Sequence, residues 1–506
     1  MSTPCLHLTD LWLADGSEKP LIKSELYIEN GIIKAVGKDN IGTDLGRKIS
    51  CRGAIAAPGF IDVHGHSDIS SLASESALWA RCQQGVTCEI AGNCGLSAFP
   101  VTENNQEHLE KLYAKYNVPF SWRSYAEYKK FSAEKNILCD LEHLTGHNTL
   151  RAAVCGYGKY TDISSRQLND MGDLLENSYL QGALGLSLGL LYVPGKFASP
   201  DELHHLFKIT AKHNKIITCH LRSEGKKLLE SIEEMITLSL ESGLKKLHIS
   251  HFKTAGKDNF HKLDAALEMF EYARQEGLSV TFDRYPYTRS MTQLSLVLPD
   301  EWCDIDDVTI TKKLQDNELC RQLTNELRTQ RGDEYWKSVI LVNSPLSKYR
   351  SKHGCTLADL GNDPAECIIE ILRHDSAGAT AAFSGMSSEN MLKIITDKYC
   401  MAGSDGTALP PDGSFGTDHP RSYGAVCRFI RLLLDNGVSI ENAVRKVTGF
   451  SADTFGLNTR GYIRENLPAD IVIFDPDSID GKSDFANPSA QAQGIIKVLK
   501  NGCETM

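Results

Sequence analysis

The sequence predicts an α/β fold: a (β/α)8 TIM-like barrel with a small β-sandwich formed by both chain termini and an inserted lid subdomain. Three observations predict it. Apolar strand-like segments alternate with helical stretches through the middle of the chain, β-like segments cluster at both ends, and one long charged stretch interrupts the alternation. Alternating strands and helices are typical of a parallel sheet, and so favour the barrel.

The N-terminal residues 1–58 carry short β-like segments separated by turn signals, in the order CLHLTDLWL, ADG, LYIENGIIKAVG and KISCRGAIAAP. This spacing indicates hairpins rather than strand–helix–strand units. Residues 451–506 return to β-like segments with ADIVIFDP and IIKVLKNGCE. Because isolated hairpins are marginally stable in water, we expect the two ends to join into one β-sandwich.

The central region, residues 59–287 and 349–450, is predicted to form the barrel. Its eight strand candidates are FIDVHGH, GVTCEIAGNC, DLEHLTGH, ALGLSLGLL, KIITCHLR, LHISHFK, SVTFDRYPY and KYCMAGSD. Eight parallel strands are the number that closes such a barrel. The charged stretch within residues 288–348 offers no clean strand, and we expect a partly helical subdomain that covers the mouth of the barrel.

Composition restricts the possible partners. The net charge is −11 and the lysines and arginines are scattered, so nucleic acid is not an expected partner. The first thirty residues show neither a signal-peptide pattern nor an apolar run long enough to span a bilayer, which predicts a cytoplasmic protein without a membrane partner. Fifteen cysteines, an odd number with irregular spacing, do not indicate a disulfide framework. The oligomeric state is left open.

Potential metal ligands recur at the ends of the strand candidates. His64 and His66 stand two residues apart in GFIDVHGHSD, so they point to the same side of a strand. That pair alone is weak evidence for a metal. Four further donors follow other strand candidates: Cys94 in AGNCG, His220 in ITCHLR, His251 in ISHFK and Asp405 in GSDG. Barrel enzymes keep their sites at these strand ends, and thiolate with imidazole favours zinc, here as a two-metal site.

With these donors in place, the sequence resembles the amidohydrolase superfamily, and within it the D-aminoacylases, or N-acyl-D-amino-acid deacylases. The resemblance covers nearly the whole chain and is carried by PGFIDVHGHSD, GVTCEIAGNCG, LTGH followed by TLR, LGLLYVPG, HLRSEG, HISHFK, YPYT, GSDG and HPRSYG. It implies zinc-dependent hydrolysis of the amide bond of a small-molecule N-acyl-D-amino acid to a carboxylate and a free D-amino acid.

The resemblance also implies roles for the six donors. Other binuclear members bridge their metals with a carboxylated lysine on the fourth strand, but ALGLSLGLL contains no lysine. Cys94 stands where D-aminoacylases use a bridging cysteine; the alternative is a buried free cysteine. The family further implies one tightly held zinc on Cys94, His220 and His251. A second, weakly occupied position would lie near His64, His66 and Asp405.

Asp405 matches the catalytic carboxylate that moves the proton from water to the leaving amine; the alternative is a cap of the Ser-Asp-Gly turn. Four other residues match substrate contacts of the family. Arg421 and Lys253 correspond to residues that hold the substrate carboxylate, and Tyr192 and Tyr285 to polar contacts. For the two cations the alternative is a solvated surface charge.

His147, Arg222 and Glu224 are expected to orient ligands. The chain departs from the family pattern after YPYT, where Arg289 and Met291 stand at positions that relatives fill with small residues and a serine. Arg289 could face an acidic substrate side chain. Its alternatives are solvent or an acid of the insertion.

Two other functions stay open at this point. One is a cyclic-amide amidohydrolase, dihydroorotase-like or hydantoinase-like, on the same scaffold. The absent fourth-strand lysine together with Cys94 favours the deacylase. The other is a scaffold protein that has lost activity, against which the complete set of six donors argues.

Overall fold

A computed structural model describes residues 5–37, 46–74, 76–135, 138–158 and 162–505. The strands within these ranges are β1 (Leu6–Leu13), β2 (Ile22–Glu29), β3 (Ile32–Val36), β4 (Arg47–Ser50), β5 (Ile55–Pro58), β6 (Phe60–Asp62), β7 (Val86–Ala91), β8 (Asp140–His143), β9 (Thr145–Gly146), β10 (Gly185–Gly189), β11 (Ile216–His220), β12 (Lys246–Ile249), β13 (Ser279–Arg284), β14 (Arg289–Gln293), β15 (Val339–Asn343), β16 (Thr380–Ser384), β17 (Cys400–Ala402), β18 (Ile471–Phe474), β19 (Ile495–Lys500) and β20 (Cys503–Glu504).

The α-helices in the same ranges are α1 (Ser70–Ala73), α2 (Trp79–Cys82), α3 (Gln106–Leu112), α4 (Tyr125–Ala133), α5 (His147–Cys155), α6 (Ser165–Leu180), α7 (Pro200–Lys212), α8 (Leu228–Ser242), α9 (Leu263–Gln275), α10 (Asp307–Lys313), α11 (Asn317–Gln330), α12 (Asp333–Ser338), α13 (Pro364–Asp375), α14 (Ser388–Thr396), α15 (Arg421–Asp435), α16 (Ile440–Lys446) and α17 (Gly449–Phe455). None of these helices combines the length and apolarity that a membrane-spanning segment needs.

The two chain ends form one hydrogen-bonded sheet of eight strands, in the order β20-β19-β18-β5-β1-β2-β3, with β4 paired to β1. Its central seam joins β5 to β18 in antiparallel register, with Ala56 opposite Ile473. Leucines and isoleucines from both ends share one buried core, so neither end could bury its apolar face alone. The prediction that the ends join is confirmed. Residues 1–4, 38–45 and 506 of the predicted sandwich lie outside the described residues.

All eight predicted barrel strands are present, and they pair in parallel as two sheets, β6-β7-β8 and β9-β10-β11-β12-β13-β17. The third predicted strand is interrupted at Leu144, which separates β8 from β9. The sheets are joined on one side by Leu184 N donating to His143 O at 2.8 Å, and on the other by Val63 N donating to Ala402 O at 3.2 Å. The predicted α/β fold is confirmed.

Capping residues in the local sequence determine where the barrel helices begin and end. Before α7, the Ser199 hydroxyl accepts a hydrogen bond from Glu202 N, and Pro200 occupies the first turn, where a missing N–H costs nothing. Helix α8 ends at Gly243, whose left-handed conformation suits a residue without Cβ. The apolar faces of both helices pack on the strands, so the sheet is buried from both sides.

The insertion is larger than predicted. Strands β14, β16 and β15 form a separate antiparallel sheet in that order, and its helices include α10 to α13 around their own apolar core. Because β16 pairs with both other strands, the insertion extends to Ser384, and the predicted return to the barrel at residue 349 is wrong. The sequence did not reveal this because α13 is amphipathic like a barrel helix. Only the pairing of β16, TAAFS, with β14 and β15 shows that α13 packs in the core of the insertion.

Candidate metal centre

The six predicted donors all lie at the carboxyl ends of barrel strands. His64 and His66 follow β6, Cys94 follows β7, His220 ends β11, His251 follows β12 and Asp405 follows β17. Three of them have positive φ angles, 52° at Cys94, 38° at His251 and 49° at Asp405. Such angles are uncommon outside glycine and are retained where the surrounding structure holds them, often at functional sites.

Four donors form one compact group. The ligand atoms of His64, Cys94, His251 and Asp405 all lie within 4.8 Å of one another. Cys94 Sγ stands 3.3 Å from His64 Nε2 and 3.4 Å from His251 Nε2. His66 joins through Asp405, with Nε2 at 3.1 Å from Oδ1. Sulfur, imidazole nitrogen and carboxylate oxygen at these separations suit a zinc ion.

His220 lies beside this group and forms a second one with Glu224 and His251. The rings of His220 and His251 have centroids 4.4 Å apart. Both ring nitrogens of His220 are buried and have no hydrogen-bond partner in the described part of the chain. Buried polar atoms are nearly always satisfied, so an orphaned imidazole beside a thiol fits a metal ligand.

Electrostatics keep both anionic donors ionised. Burial raises the pKa of the Cys94 thiol, but His64 and His251 outweigh it and hold that pKa well below its usual value. Burial likewise raises the pKa of Asp405, and the Arg421 guanidinium is the main group that reverses the effect. Its Nη1 lies 2.7 Å from Asp405 Oδ2. Thiolate and carboxylate are the forms that bind metals.

Buried charged residues that the sequence analysis did not single out support the donors. Asp283 Oδ2 lies 3.0 Å from His64 Nδ1. Arg81 contacts both Glu89, at 2.6 Å, and Asp62, at 3.3 Å. The same guanidinium donates to the carbonyl of Gly406, the residue after Asp405. Asp62, Glu89 and Asp283 each stand inside an apolar strand. Because fully buried charges are rare unless paired, this pattern could have identified them in the sequence.

The four predicted substrate residues surround the donors. The Arg421 guanidinium lies over the Tyr285 ring at 4.6 Å, and the Tyr192 ring meets His220 edge-on at 4.8 Å. Lys253 Nζ lies 2.5 Å from Glu224 Oε1 and 2.9 Å from His251 Nδ1. Arg421 and Lys253 are both buried, which contradicts the solvated-surface alternative for these two cations.

Of the three residues expected to orient ligands, only Glu224 contacts a donor, with Oε1 at 2.9 Å from His251 Nδ1. His147 pairs with Glu202 at 2.8 Å, and Glu202 also binds Arg151, which donates to Pro194 O.

Arg222 donates to the carbonyls of Lys196 and Ala198. The expectation for His147 and Arg222 is therefore corrected: both belong to networks that brace the loop after β10, which carries Tyr192.

Arg289 lies on β14 in the insertion. Its half-buried guanidinium donates from Nη1 to the carbonyl of Ser338 at 2.6 Å. Its own carbonyl faces His419 Nε2 at 3.1 Å, and His419 Nδ1 accepts from Arg421 N. Arg289 thus contacts the insertion through its side chain and the Arg421 segment through its backbone.

The chain is similar to known deacylases over most of its length. No family model matches the chain. The N-acyl-D-glutamate deacylase of Alcaligenes xylosoxydans xylosoxydans is 28% identical over 97% of this chain and 91% of that protein. The D-aminoacylase of the same organism is 29% identical over 97% and 92%.

A crystal structure of N-acyl-D-glutamate deacylase from Bordetella bronchiseptica, complexed with zinc and a phosphonate inhibitor that mimics the tetrahedral intermediate, superposes with a TM-score of 0.82. It is 26% identical and covers 99% of this chain and 96% of the other. Likeness in sequence and in structure thus extends over nearly the full length of each protein. The chain is therefore similar over nearly its full length to D-aminoacylases and N-acyl-D-glutamate deacylases, and the structure of a D-aminoacylase defines a subset of the amidohydrolases.

Proposed function

We propose that this protein is a zinc-dependent hydrolase of N-acyl-D-amino acids that releases a carboxylate and a free D-amino acid. One observation carries the proposal: the thiolate, imidazole and carboxylate donors at the barrel mouth adjoin a buried guanidinium, Arg421, that can hold a carboxylate. The deacylase names of the relatives support the same activity over the cyclic-amide alternative.

For the metal, we assign a tightly held zinc to Cys94, His220 and His251, and a second, weaker position to His64, His66 and Asp405. The orphaned nitrogens of His220 and the 3.4 Å contact of Cys94 to His251 support the first assignment, and the 3.1 Å contact of His66 to Asp405 supports the second. When bound, zinc supplies a Lewis acid that polarises the scissile carbonyl and makes water a better nucleophile at neutral pH.

Asp405 is the residue we assign to proton transfer. Its carboxylate oxygens face side chains, His66 on one and Arg421 on the other, which argues against the turn-cap alternative. The ionised group accepts a proton as water adds to the amide carbon. It then gives that proton to the nitrogen as the carbon–nitrogen bond breaks, so one carboxylate serves both steps.

Recognition of the substrate carboxylate is assigned to Arg421 with Lys253, Tyr192 and Tyr285. Arg421 Nε is buried and has no hydrogen-bond partner among the described residues, so the fork retains a free donor for a second anion. Arg421→Ala should raise KM for N-acetyl-D-amino acids sharply, because a desolvated carboxylate would lose its cation. Arg421→Lys keeps the charge without the planar fork and should recover only part of the loss. An unchanged KM in both variants would remove Arg421 from the pocket.

The activity itself is tested by assaying zinc-loaded protein against a panel of N-acetyl-D- and N-acetyl-L-amino acids for release of free amine. Turnover of D substrates with little turnover of the L series is the expected result. Hydrolysis of hydantoins or dihydroorotate without amine release from the panel would contradict the proposal and favour the cyclic-amide alternative.

The preferred side chain is a separate question, since one of the two relatives is named for N-acyl-D-glutamate and the other only as a D-aminoacylase, at nearly equal identity. The ratio of kcat/KM for N-acetyl-D-glutamate and N-acetyl-D-leucine, compared between wild type and Arg289→Ala, determines whether Arg289 takes part. An unchanged ratio assigns Arg289 to its contact with Ser338 inside the insertion.

A further inference from the structure

A buried row of polar side chains crosses the barrel interior and ends at His64. Thr281 Oγ1 lies 2.9 Å from His248 Nδ1, and His248 Nε2 lies 3.0 Å from Asp283 Oδ2. The same carboxylate oxygen lies 3.0 Å from His64 Nδ1. All four side chains are buried, so each polar atom must find its partner within the protein.

The directions of these hydrogen bonds follow from the charge of Asp283. An ionised carboxylate only accepts, so both imidazoles must present an N–H to Oδ2. His64 therefore carries its proton on Nδ1. Its Nε2 lone pair is left facing the donor group, 3.3 Å from Cys94 Sγ and 3.5 Å from Asp405 Oδ1.

Thr281 determines which ring nitrogen of His248 carries the proton. Burial lowers the pKa of His248, although Asp283 opposes the shift, so the ring is neutral and has a single N–H. Because that N–H points at Asp283, Nδ1 is left as an acceptor and needs a donor. The Thr281 hydroxyl occupies that place, and it thereby selects the Nε2–H tautomer of His248.

We propose that Thr281 and His248 are positioning residues that act through Asp283 to orient His64 as a metal ligand. Oδ1 of Asp283 has no hydrogen-bond partner in the described chain, so the two imidazoles on Oδ2 set the angle of the carboxylate. Without His248, the carboxylate keeps one of these two directional contacts, and the ring of His64 is less firmly aimed. The inference rests on the proposed zinc site.

The neighbouring strand supplies a matched control. Thr218 on β11 and Thr281 on β13 lie opposite His248 from its two sides, in register across the parallel sheet. Both threonines are buried, but the Thr218 hydroxyl has no hydrogen-bond partner within the described residues. Threonine to valine is nearly isosteric at each position, so the two substitutions differ chiefly in whether a bonded hydroxyl is lost.

The experiment measures zinc affinity by competition with a chromophoric chelator, together with the melting temperature of the metal-free proteins. His248→Leu should weaken the zinc position that includes His64 by about 10- to 100-fold, the range known for partners that orient metal-bound histidines. Thr281→Val should weaken it less, and the position held by His220 should be unchanged. His248→Gln should restore part of the affinity because its amide can donate to Asp283. Thr218→Val should match wild type.

Three outcomes would overturn the inference. Wild-type zinc affinity in both His248→Leu and Thr281→Val would show that the row does not orient His64. An equal loss in Thr218→Val would indicate a packing effect of the barrel interior. Failure of His248→Gln to exceed His248→Leu would exclude the hydrogen bond as the cause. If wild type itself binds no zinc, the proposed function fails as well, so the two failures are distinguishable.

Discussion

The Asp405 carboxylate lies between the guanidinium of Arg421 and the imidazoles of His66 and His64. Arg421 holds one oxygen at 2.7 Å and His66 the other at 3.1 Å, while His64 Nε2 approaches the latter at 3.5 Å. These positive or potentially positive groups lower the pKa of the carboxyl despite its burial.

Asp405→Asn should reduce kcat by about 10² to 10⁴, because the amide keeps the shape of the carboxylate but cannot accept and return the proton. Zinc on Cys94, His220 and His251 should remain bound, as measured by metal analysis of the purified variant. Near-normal turnover would show that another group moves the proton.

Cys94 is the residue whose loss should remove metal and activity together. Cys94→Ala leaves the tight position with two imidazoles and no anionic ligand, so zinc content and turnover should both fall. Cys88, a buried cysteine on β7 whose pKa is raised by burial, is the matched control, and Cys88→Ala should keep its zinc. Stoichiometric zinc in an active Cys94→Ala protein would assign Cys94 to packing.

At the scale of elements, the loop after β10 connects the barrel to the insertion. Its barrel side is braced by Asn148, which donates to the carbonyls of Gly189 and Tyr192. On its other side Lys196 Nζ lies 2.7 Å from Asp304 Oδ1, a residue of the insertion. The loop that carries Tyr192 therefore connects the region of the candidate metal donors to the insertion.

Lys196→Met should raise KM while barely changing stability. The ion pair is about one-third exposed on both sides, at 34% and 36%, and pairs of this kind contribute roughly 0–1 kcal/mol to stability. Loosening the insertion over Tyr192 should therefore appear in KM, by up to about five-fold if the full interaction is lost. Arg328→Met, which breaks ion pairs to Asp363 and Glu366 within the insertion, is the control. Equal KM values in the two variants would contradict the link.

Over the whole molecule, the candidate metal donors come from both sheets of the barrel, which few hydrogen bonds join directly. His64 and Cys94 come from the β6-β7-β8 sheet, whereas His220, His251 and Asp405 follow strands of the other sheet. A bound ion would therefore link the two halves of the barrel. A ligand that binds only the folded state stabilises it by mass action.

Zinc should consequently raise the melting temperature as its free concentration increases, and a chelator should reverse the shift. At about 100 times the dissociation constant the linkage amounts to about 2.7 kcal/mol. Differential scanning fluorimetry across a zinc series measures it, with Cys94→Ala as the protein in which the shift should be smallest. A melting temperature independent of zinc would contradict metal binding to the folded state.

The sequence by itself determined the eight barrel strands and the positions of the six donors. Each strand is a short apolar run, and the candidate donors at the carboxyl ends of five of them lie at the barrel mouth by the geometry of parallel strands. Glu224 was also predictable from its place near His220. The side of a strand and the end of a sheet are local properties, because they follow from the period of two and from chain direction.

The tertiary structure decided which side chains meet. Asp283 contacts His64 across 219 residues of chain, and nothing local to either residue specifies that contact. The extent of the insertion depends on the pairing of β16 with β14. His147 and Arg222 contact the region after β10 because the fold brings Glu202 and the carbonyl of Lys196 close to them. Such contacts are set by how strands register and helices pack, because a buried charge takes whichever partner the completed fold presents.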